Sequence, residues 1–276
     1  MGSALSDKER EPRSAAAEVE LAGGNENVVV RVGDTVRRSM HPWTPAVQTL
    51  LRHLEAVGFA GAPRSLGIDD LGREMLTFIP GRVGNYPLLP AMTTDAALTA
   101  SARLLRAYHD AATVQPAWLD LPWHWRHPEP ARWEVICHSD VAPYNVVFDG
   151  EEPVALIDFD HAGPGPRTWD VAYAVYRFAP LAADRNLTEF GHDPAGDRTR
   201  RLRAFLDAYG KVETRGLIDL VIERVTGLRN DILTRAAAGD PGVERHLAED
   251  HVGSYNADLD WIRANRITLD AALGQD

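Results

Sequence analysis

The chain has 276 residues, of which 45% are hydrophobic and 25% charged, as in ordinary globular proteins with a sizeable core. Its formal net charge of −11 argues against a nucleic-acid partner, which would select a basic face, and permits a cationic small-molecule ligand. No apolar run approaches the roughly 20 residues of a membrane span, and the polar N-terminus is not a secretory signal, so we predict a cytoplasmic protein without a membrane partner.

Three regions follow from the pattern of apolar and polar residues. We predict a mobile tail at 1–18, a β-rich lobe at 19–80 and a larger, mainly helical lobe at 81–276. The sequence IPGR at 79–82 interrupts the strand pattern and marks the boundary between the lobes. Two lobes of different composition predict a cleft between them, where ligand sites usually lie.

The β-rich lobe is predicted to contain five strands and one helix. Short apolar runs flank the glycine-rich sequence AGGNEN at 22–27, a further strand reads TVRR at 35–38, and two more surround the turn at 70–72. Apolar residues at helical spacing from Trp43 to Val57 predict the helix.

The second lobe is predicted to be helical apart from three short strands. A Trp- and Pro-rich segment at 115–133 is expected to be a packed loop in which His124 and His127 face solvent. Cys137, the one cysteine, is interpreted as a small buried residue at a strand end. The strands are expected at 133–137, 145–148 and 153–158, and the helices at 93–111, 169–179, 198–210, 214–236 and 243–265.

Polar residues collect at the ends of these short strands. HSDVAPYN at 138–145 carries Asp140 and Asn145, and the apolar run PVALID ends at Asp158. One carboxylate and one amide oxygen suit Mg²⁺ better than zinc, and Mg²⁺ bound in this way takes its other ligands from phosphates and water. Asp140 is then free to accept a proton. Turn chemistry explains any one of these residues, but not all three at this spacing.

The motifs H-S-D-V-A-P-Y-N, I-D-F-D and W-D-V-A resemble those of the aminoglycoside phosphotransferase family, from about residue 19 to the C-terminus. The resemblance implies a bilobal α+β fold like that of protein kinases, with transfer of the γ-phosphate of ATP or GTP to a small-molecule hydroxyl. It implies that Asp140 handles the proton, that Asn145 and Asp158 hold Mg²⁺, and that His138 and Asp170 support the loop. Asp160 is expected at the metal or the substrate.

The resemblance also assigns nucleotide contacts in the first lobe. The backbone of AGGNEN is expected over the phosphates, and strand TVRR stands where kinases carry a phosphate-binding lysine. Strand alternation brings only Arg37 or Arg38 into the cleft, and we favour Arg38. The resemblance also implies a glutamate on the following helix as the partner of the phosphate-binding residue, and Glu55 is the only acidic residue of that predicted helix. The residues expected to contact the nucleotide are Gly23, Gly24, Asn25, Asn27, Arg38, Phe78 and Ile79.

Two departures from the family pattern support an alternative function. Ser139 stands where the family has glycine, and the lysine is absent, as in a nucleotide-binding pseudokinase or scaffold without turnover. The presence of all three polar residues of the cluster argues against that alternative. A hydrolase ranks last, because no motif for stabilising an electrophile is evident. The carboxylates of 181–276, Asp258 among them, are interpreted mainly as solvated helix faces.

Overall fold

The computed structural model describes residues 17–21 and 29–274. The predicted phosphate loop, with Gly23, Gly24, Asn25 and Asn27, lies outside the described residues, as does most of the predicted tail. The first lobe contains an antiparallel sheet with strand order β1-β2-β3-β5-β4. Its strands are β1 (Glu18–Glu20), β2 (Val30–Val32), β3 (Thr35–Arg38), β4 (Ser65–Ile68) and β5 (Glu74–Thr77).

One helix, α1 (Thr44–Ala56), packs on this sheet and confirms the helix predicted between Trp43 and Val57. Its buried face includes Val47, Leu50 and Leu54, which follow the spacing of one helical stripe. The helix packs against β4, and the predicted lobe boundary at residue 80 falls between β5 and the next strand.

The second lobe is built from helices around two small sheets. A three-stranded sheet has the order β6-β8-β9, and β7 pairs with β10. The strands are β6 (Arg82–Val83), β7 (Val135–Cys137), β8 (Val146–Asp149), β9 (Glu152–Leu156) and β10 (Gly163–Gly165). The predicted strands at 133–137, 145–148 and 153–158 are therefore confirmed with small shifts of their ends.

The helices that form the core of this lobe are α2, α3, α5 and α6, with α8 packed on α6. Thr94 caps α2 by accepting a hydrogen bond from the backbone N–H of Ala97. The described helices of this lobe are α2 (Asp95–Ala111), α3 (Arg167–Phe178), α4 (Asp184–Phe190), α5 (Arg198–Tyr209), α6 (Leu217–Ala237), α7 (Glu244–Ala248), α8 (His251–Ala264) and α9 (Arg266–Ala272). Together the two lobes confirm the predicted bilobal α+β fold.

The strands β6 and β10 and the helix α4 were not predicted, and two further expectations for this lobe are wrong. The single helix predicted at 243–265 is broken into α7 and α8, because Asp250 adopts a left-handed conformation (φ 52°) and its carboxylate caps the N–H of Gly253. In the Trp-rich loop His124 is exposed, but His127 is buried and accepts a hydrogen bond from the N–H of Glu129. Among the described residues there is no helix long and apolar enough to cross a membrane.

Candidate active site

The loop HSDVAPYN at 138–145 joins β7 to β8 and is held from behind by α3. The fully buried carboxylate of Asp170 accepts hydrogen bonds from the backbone N–H groups of His138 (2.6 Å) and Ser139 (2.7 Å). His109, a satisfied core residue, lies 3.0 Å from the same carboxylate. Burial alone would raise the pKa of Asp170, but these hydrogen bonds and the neighbouring imidazoles hold it below its usual value. Asp170 is thus an anionic anchor for the loop.

Ser139 explains why glycine is usual at its position. Its φ of 66° lies in the left-handed region, which costs a residue with a Cβ about 1–2 kcal/mol. The conformation is fixed at both ends of the residue, because the N–H donates to Asp170 and the carbonyl accepts from Arg224 on α6. The surrounding contacts therefore compensate for the strain and keep Ser139 in this conformation.

Asp140 lies half-buried at the centre of this loop, and each of its carboxylate oxygens accepts a hydrogen bond. Tyr144 donates its hydroxyl to Oδ1 (2.8 Å), and the amide of Asn145 donates to Oδ2 (2.8 Å). Asn145 also donates to the backbone carbonyl of Asp140 (2.9 Å). These bonds fix the carboxylate and direct the Oδ1 of Asn145 away from it.

The loop is hydrogen-bonded through Ile157 to the segment that follows β9 and carries Asp158. Its backbone N–H donates to the carbonyl of Asn145, and its carbonyl accepts a hydrogen bond from Nε2 of His138, both at 2.9 Å. The next residue, Asp158, leaves the strand in a left-handed conformation (φ 62°), and its side chain is 54% exposed. The three polar residues predicted as a cluster are thus carried on two segments bonded to each other.

Arg38 reaches this cluster from the first lobe. Its guanidinium lies 2.9 Å from Asp160 and 3.5 Å from Asp158, and Nε donates to Glu74 at 2.6 Å. Arg37 points to the other face of the sheet, where it lies 3.5 Å from Asp69. The strand register therefore places Arg38 in the cleft.

The acidic partner of Arg38 differs from the expected one. Glu74 on β5 lies directly opposite Arg38 on β3 and is fully buried, whereas Glu55 pairs with Arg64 on the surface. The pair is thus formed within one sheet, and helix α1 is not needed for it. Glu74 was not predicted from the sequence, because the register in which two separate strands pair cannot be read from the sequence of either strand alone.

The carboxylates around Arg38 carry more charge than it can neutralise, since one cation faces three anions. Partial removal from water in the cleft, and then repulsion from Asp160, raise the pKa of Asp158. Burial alone would lower the pKa of Arg38, but Asp160, Glu74 and Asp158 together raise it. A second cation at this point would therefore be stabilised by the site.

Two other expectations are changed by the structure. The backbone N–H of Phe78 donates to the carbonyl of Asp34 (2.9 Å), so it is not free for an adenine base, although its carbonyl and Ile79 still lie between the lobes. Asp258 does not lie on a solvated helix face. It is buried and accepts hydrogen bonds from Tyr176 (2.6 Å) and Asn186 (2.7 Å).

Comparison with known proteins agrees with this geometry. Residues 111–209, which include the loop, Asp158 and Asp170, match the sequence model of the APH phosphotransferase enzyme family. Over 267 residues the chain is 33% identical to the trifolitoxin immunity protein of Rhizobium leguminosarum bv. trifolii, covering 93% of this chain and 98% of that protein. The chain belongs to the APH phosphotransferase family. The resemblance given by its motifs is thereby confirmed.

Solved structures show the fold of the APH family along nearly the whole chain. The GDP complex of aminoglycoside 2'-phosphotransferase-IIIa has a TM-score of 0.60 at 16% identity and covers 92% of this chain and 94% of its own. A macrolide 2'-phosphotransferase from Brachybacterium faecium has a TM-score of 0.58 at 14% identity, covering 88% and 91%. The kinase-like architecture is thus shared by proteins whose sequences have diverged widely.

The APH-type site has a donor set that fits Mg²⁺ bound together with a nucleotide. Among the described residues, no group of three or more His, Cys, Asp and Glu side chains is arranged to hold a metal. Asp158 and the amide oxygen of Asn145 offer one carboxylate and one neutral oxygen, and Asp160, whose Oδ1 lies 2.9 Å from the guanidinium of Arg38, is a further carboxylate at the site. Mg²⁺ is commonly held by so few protein ligands when phosphates supply the rest.

Proposed function

We propose that this chain transfers the γ-phosphate of ATP or GTP to a hydroxyl group of a small molecule. The observation that supports this most strongly is the tie through Ile157, which holds Asp140, Asn145 and Asp158 together beneath Arg38. Phosphoryl transfer needs positioning and charge neutralisation more than covalent chemistry, and these four residues provide both. The inference extends the family membership to a specific reaction and to named residues.

Each residue has one task in the proposed reaction. Arg38 neutralises and orients the phosphates, and Asn145 and Asp158 would hold Mg²⁺, which supplies further neutralisation of phosphate charge when bound. Asp140 accepts a hydrogen bond from the acceptor hydroxyl and then its proton. A bond forms between the acceptor oxygen and the γ-phosphorus, the bond from that phosphorus to the β-phosphate oxygen breaks, and a nucleoside diphosphate leaves. Asp160 either assists the metal or meets the substrate.

The acceptor is proposed from the relatives. The neighbours are named for aminoglycosides and macrolides, and the 33%-identical relative is named an immunity protein. We infer that the acceptor is a hydroxyl-bearing toxin or antibiotic and that phosphorylation protects the cell from it. The negative net charge permits a cationic acceptor, and use of a cellular nucleotide would place the reaction in the cytoplasm, with neither nucleic acid nor membrane as partner.

The alternative of a scaffold without turnover loses much of its support in the structure. Arg38 paired with Glu74 supplies the cation that the missing lysine would provide, and Ser139 leaves the loop anchored to Asp170. A scaffold would have no chemical need for a fixed carboxylate at Asp140. Nucleotide binding without a metal requirement would favour the scaffold.

The test is Mg²⁺-dependent release of nucleoside diphosphate from ATP and from GTP. Aminoglycosides, macrolides, amino alcohols, sugars and hydroxyl-bearing peptides serve as acceptors, and formation of phosphorylated acceptor is followed by mass spectrometry. Asp140→Ala is expected to lose the stimulated release, whereas Asp149→Ala, a change at an exposed strand end, is expected to keep it. Phosphorylated product formed equally by Asp140→Ala would overturn the assignment of the base.

A further inference from the structure

Three side chains behind Asp140 form a chain of hydrogen bonds that the reaction described above does not use. Tyr144 donates to Oδ1 of Asp140 at 2.8 Å, its hydroxyl lies 2.7 Å from that of Tyr173, and Nε of Arg177 lies 3.0 Å from the hydroxyl of Tyr173. Tyr173 and Arg177 are both on α3 and are 1% and 7% exposed. The chain therefore runs from the interior of the second lobe to the carboxylate.

The direction of every bond in this chain is set by its two ends. A guanidinium has only donors and an ionised carboxylate has only acceptors. Arg177 must donate to Tyr173, so Tyr173 donates to Tyr144, and Tyr144 donates to Asp140. Burial, and the nearby charge of Asp140, raise the pKa of both tyrosines, so both hydroxyls keep the protons that this order requires.

Arg177 is buried among aromatic side chains and donates hydrogen bonds to the hydroxyls of Tyr173 (3.0 Å) and Tyr255 (3.4 Å). Among the residues that the structure describes, no carboxylate lies within ion-pair distance of Arg177. Its guanidinium is surrounded by the rings of Tyr144, Tyr173, Tyr176, Phe190 and Tyr255, whose centroids lie 4.7–5.9 Å away. Aromatic faces stabilise a buried cation without neutralising it. Two polarised hydroxyls thus connect this buried positive charge to the carboxylate of Asp140.

We propose that Arg177 and Tyr173 are positioning residues that hold Asp140, through Tyr144, in the orientation needed to accept the hydroxyl proton. The proposal rests on the function given above. With Oδ1 bonded to Tyr144 and Oδ2 bonded to Asn145, the carboxylate cannot rotate without breaking a hydrogen bond. Cooperative hydrogen bonds in a buried chain strengthen one another, so a change at Tyr173 should be felt at Asp140.

A matched control is available on the same helix. Tyr176 is as buried as Tyr173 and its ring is also packed against Arg177, but its hydroxyl donates to Asp258 at 2.6 Å. Tyr173→Phe removes a member of the chain, whereas Tyr176→Phe removes one equally buried hydroxyl outside it. Any effect of lost packing or lost hydrogen bonding in general should appear in both variants.

The first measurement needs no acceptor. In the full-length protein labelled with ¹³C at the aspartate side-chain carboxyl carbon, the signal of Asp140 is identified by its absence in Asp140→Asn. It is expected to shift in Tyr173→Phe and in Arg177→Met, less in Arg177→Lys, which keeps a cationic donor, and to stay unchanged in Tyr176→Phe. A signal that moves equally in both Phe variants, or in neither, would overturn the proposal.

The second measurement uses turnover with an acceptor found in the diphosphate-release assay. Tyr173→Phe is expected to lower kcat by about tenfold while KM for the nucleotide changes less than about twofold, the pattern of an interaction that matters in the transition state. Tyr176→Phe is expected to keep both constants. An equal loss of kcat in Tyr173→Phe and Tyr176→Phe would show that Tyr173 has only a structural role. Absence of turnover with every acceptor would count against the proposed function, and the carbon signal would still decide the positioning.

Discussion

At the scale of single residues, the site depends on how four charges share a small volume. Arg38 is surrounded by Glu74, Asp158 and Asp160, and only Glu74 forms a short, fully buried bond with it. The two remaining carboxylates repel each other, and this repulsion adds to desolvation in raising the pKa of Asp158. In the proposed reaction a divalent cation would relieve this repulsion.

Asp158→Asn is expected to abolish Mg²⁺-dependent nucleotide binding and turnover while the protein stays folded. The substitution removes one of two repelling carboxylates, so the thermal midpoint should stay the same or rise. Nucleotide affinity with and without Mg²⁺, measured by calorimetry, checks the first part, and the exposed Asp149→Asn is the control. Unchanged Mg²⁺-dependent binding in Asp158→Asn would mean that the metal is held elsewhere.

Arg38→Ala is expected to weaken nucleotide binding more than Arg37→Ala, because only Arg38 faces the cleft. It should also lower the free energy of unfolding by about 3–5 kcal/mol, since it leaves the buried Glu74 without a partner. The double variant Arg38→Ala/Glu74→Gln separates the two effects: stability should recover in part, but nucleotide affinity should not. A larger loss of affinity in Arg37→Ala would show that the other face of the strand meets the nucleotide.

At the scale of elements, the loop at 138–145 depends on side chains of α3. Asp170 in the first turn of that helix holds the backbone at His138 and Ser139, and Tyr173 and Arg177 further along it approach Asp140 through Tyr144. One helix therefore sets both the path of the loop and the environment of its carboxylate. The spacing 170, 173, 177 places all three on one helical face.

Asp170→Asn is expected to destabilise the protein by about 2–4 kcal/mol at neutral pH, because an amide brings a donor towards two backbone N–H groups. The pKa of Asp170 is lower in the folded chain than in the unfolded chain, so its stabilising contribution is complete above the unfolded value of about 4 and is lost as the pH falls through the folded value. Urea unfolding of both proteins between about pH 3 and pH 7 measures this. The difference in free energy of unfolding between the unsubstituted protein and Asp170→Asn should be constant above about pH 5 and should become smaller below about pH 4. A difference that narrows instead as the pH rises would show that the sign of the shift is wrong.

Prediction from sequence succeeded where one segment carries its own information. The loop motif, the apolar run before Asp158 and the amphipathic α1 each contain a local sequence pattern from which the structure of that segment can be predicted. It failed where the answer depends on two distant segments. Glu74 meets Arg38 only through the pairing of β5 with β3, and Asp258 is buried only because Tyr176 and Asn186 approach it from other helices. The break between α7 and α8 was missed because a left-handed Asp250 has no periodic signature.

At the scale of the whole molecule, the charged residues of the site come from both lobes, and the carboxylates among them outnumber the one cation. Arg38 comes from the first lobe, and Asp158 and Asp160 come from the second. The chain as a whole carries a net charge of −11, and in the proposed reaction a nucleotide would add further negative charge at the same point. Binding of the nucleotide alone is therefore opposed by electrostatics, and a divalent cation should be needed to join it to the second lobe.

Nucleotide with Mg²⁺ is expected to raise the thermal midpoint of the full chain, whereas nucleotide with EDTA should raise it little. A ligand at one hundred times its Kd stabilises a folded protein by about 2.7 kcal/mol, which for a chain of this size corresponds to a shift of about 5 °C. Asp158→Asn should lose the Mg²⁺-dependent part of the shift, because the cation can no longer link the phosphates to the second lobe. An equal shift with and without Mg²⁺ would instead indicate a nucleotide bound through the first lobe and Arg38 alone. That result would favour the scaffold over the kinase, since nothing would then hold the γ-phosphate in line with Asp140.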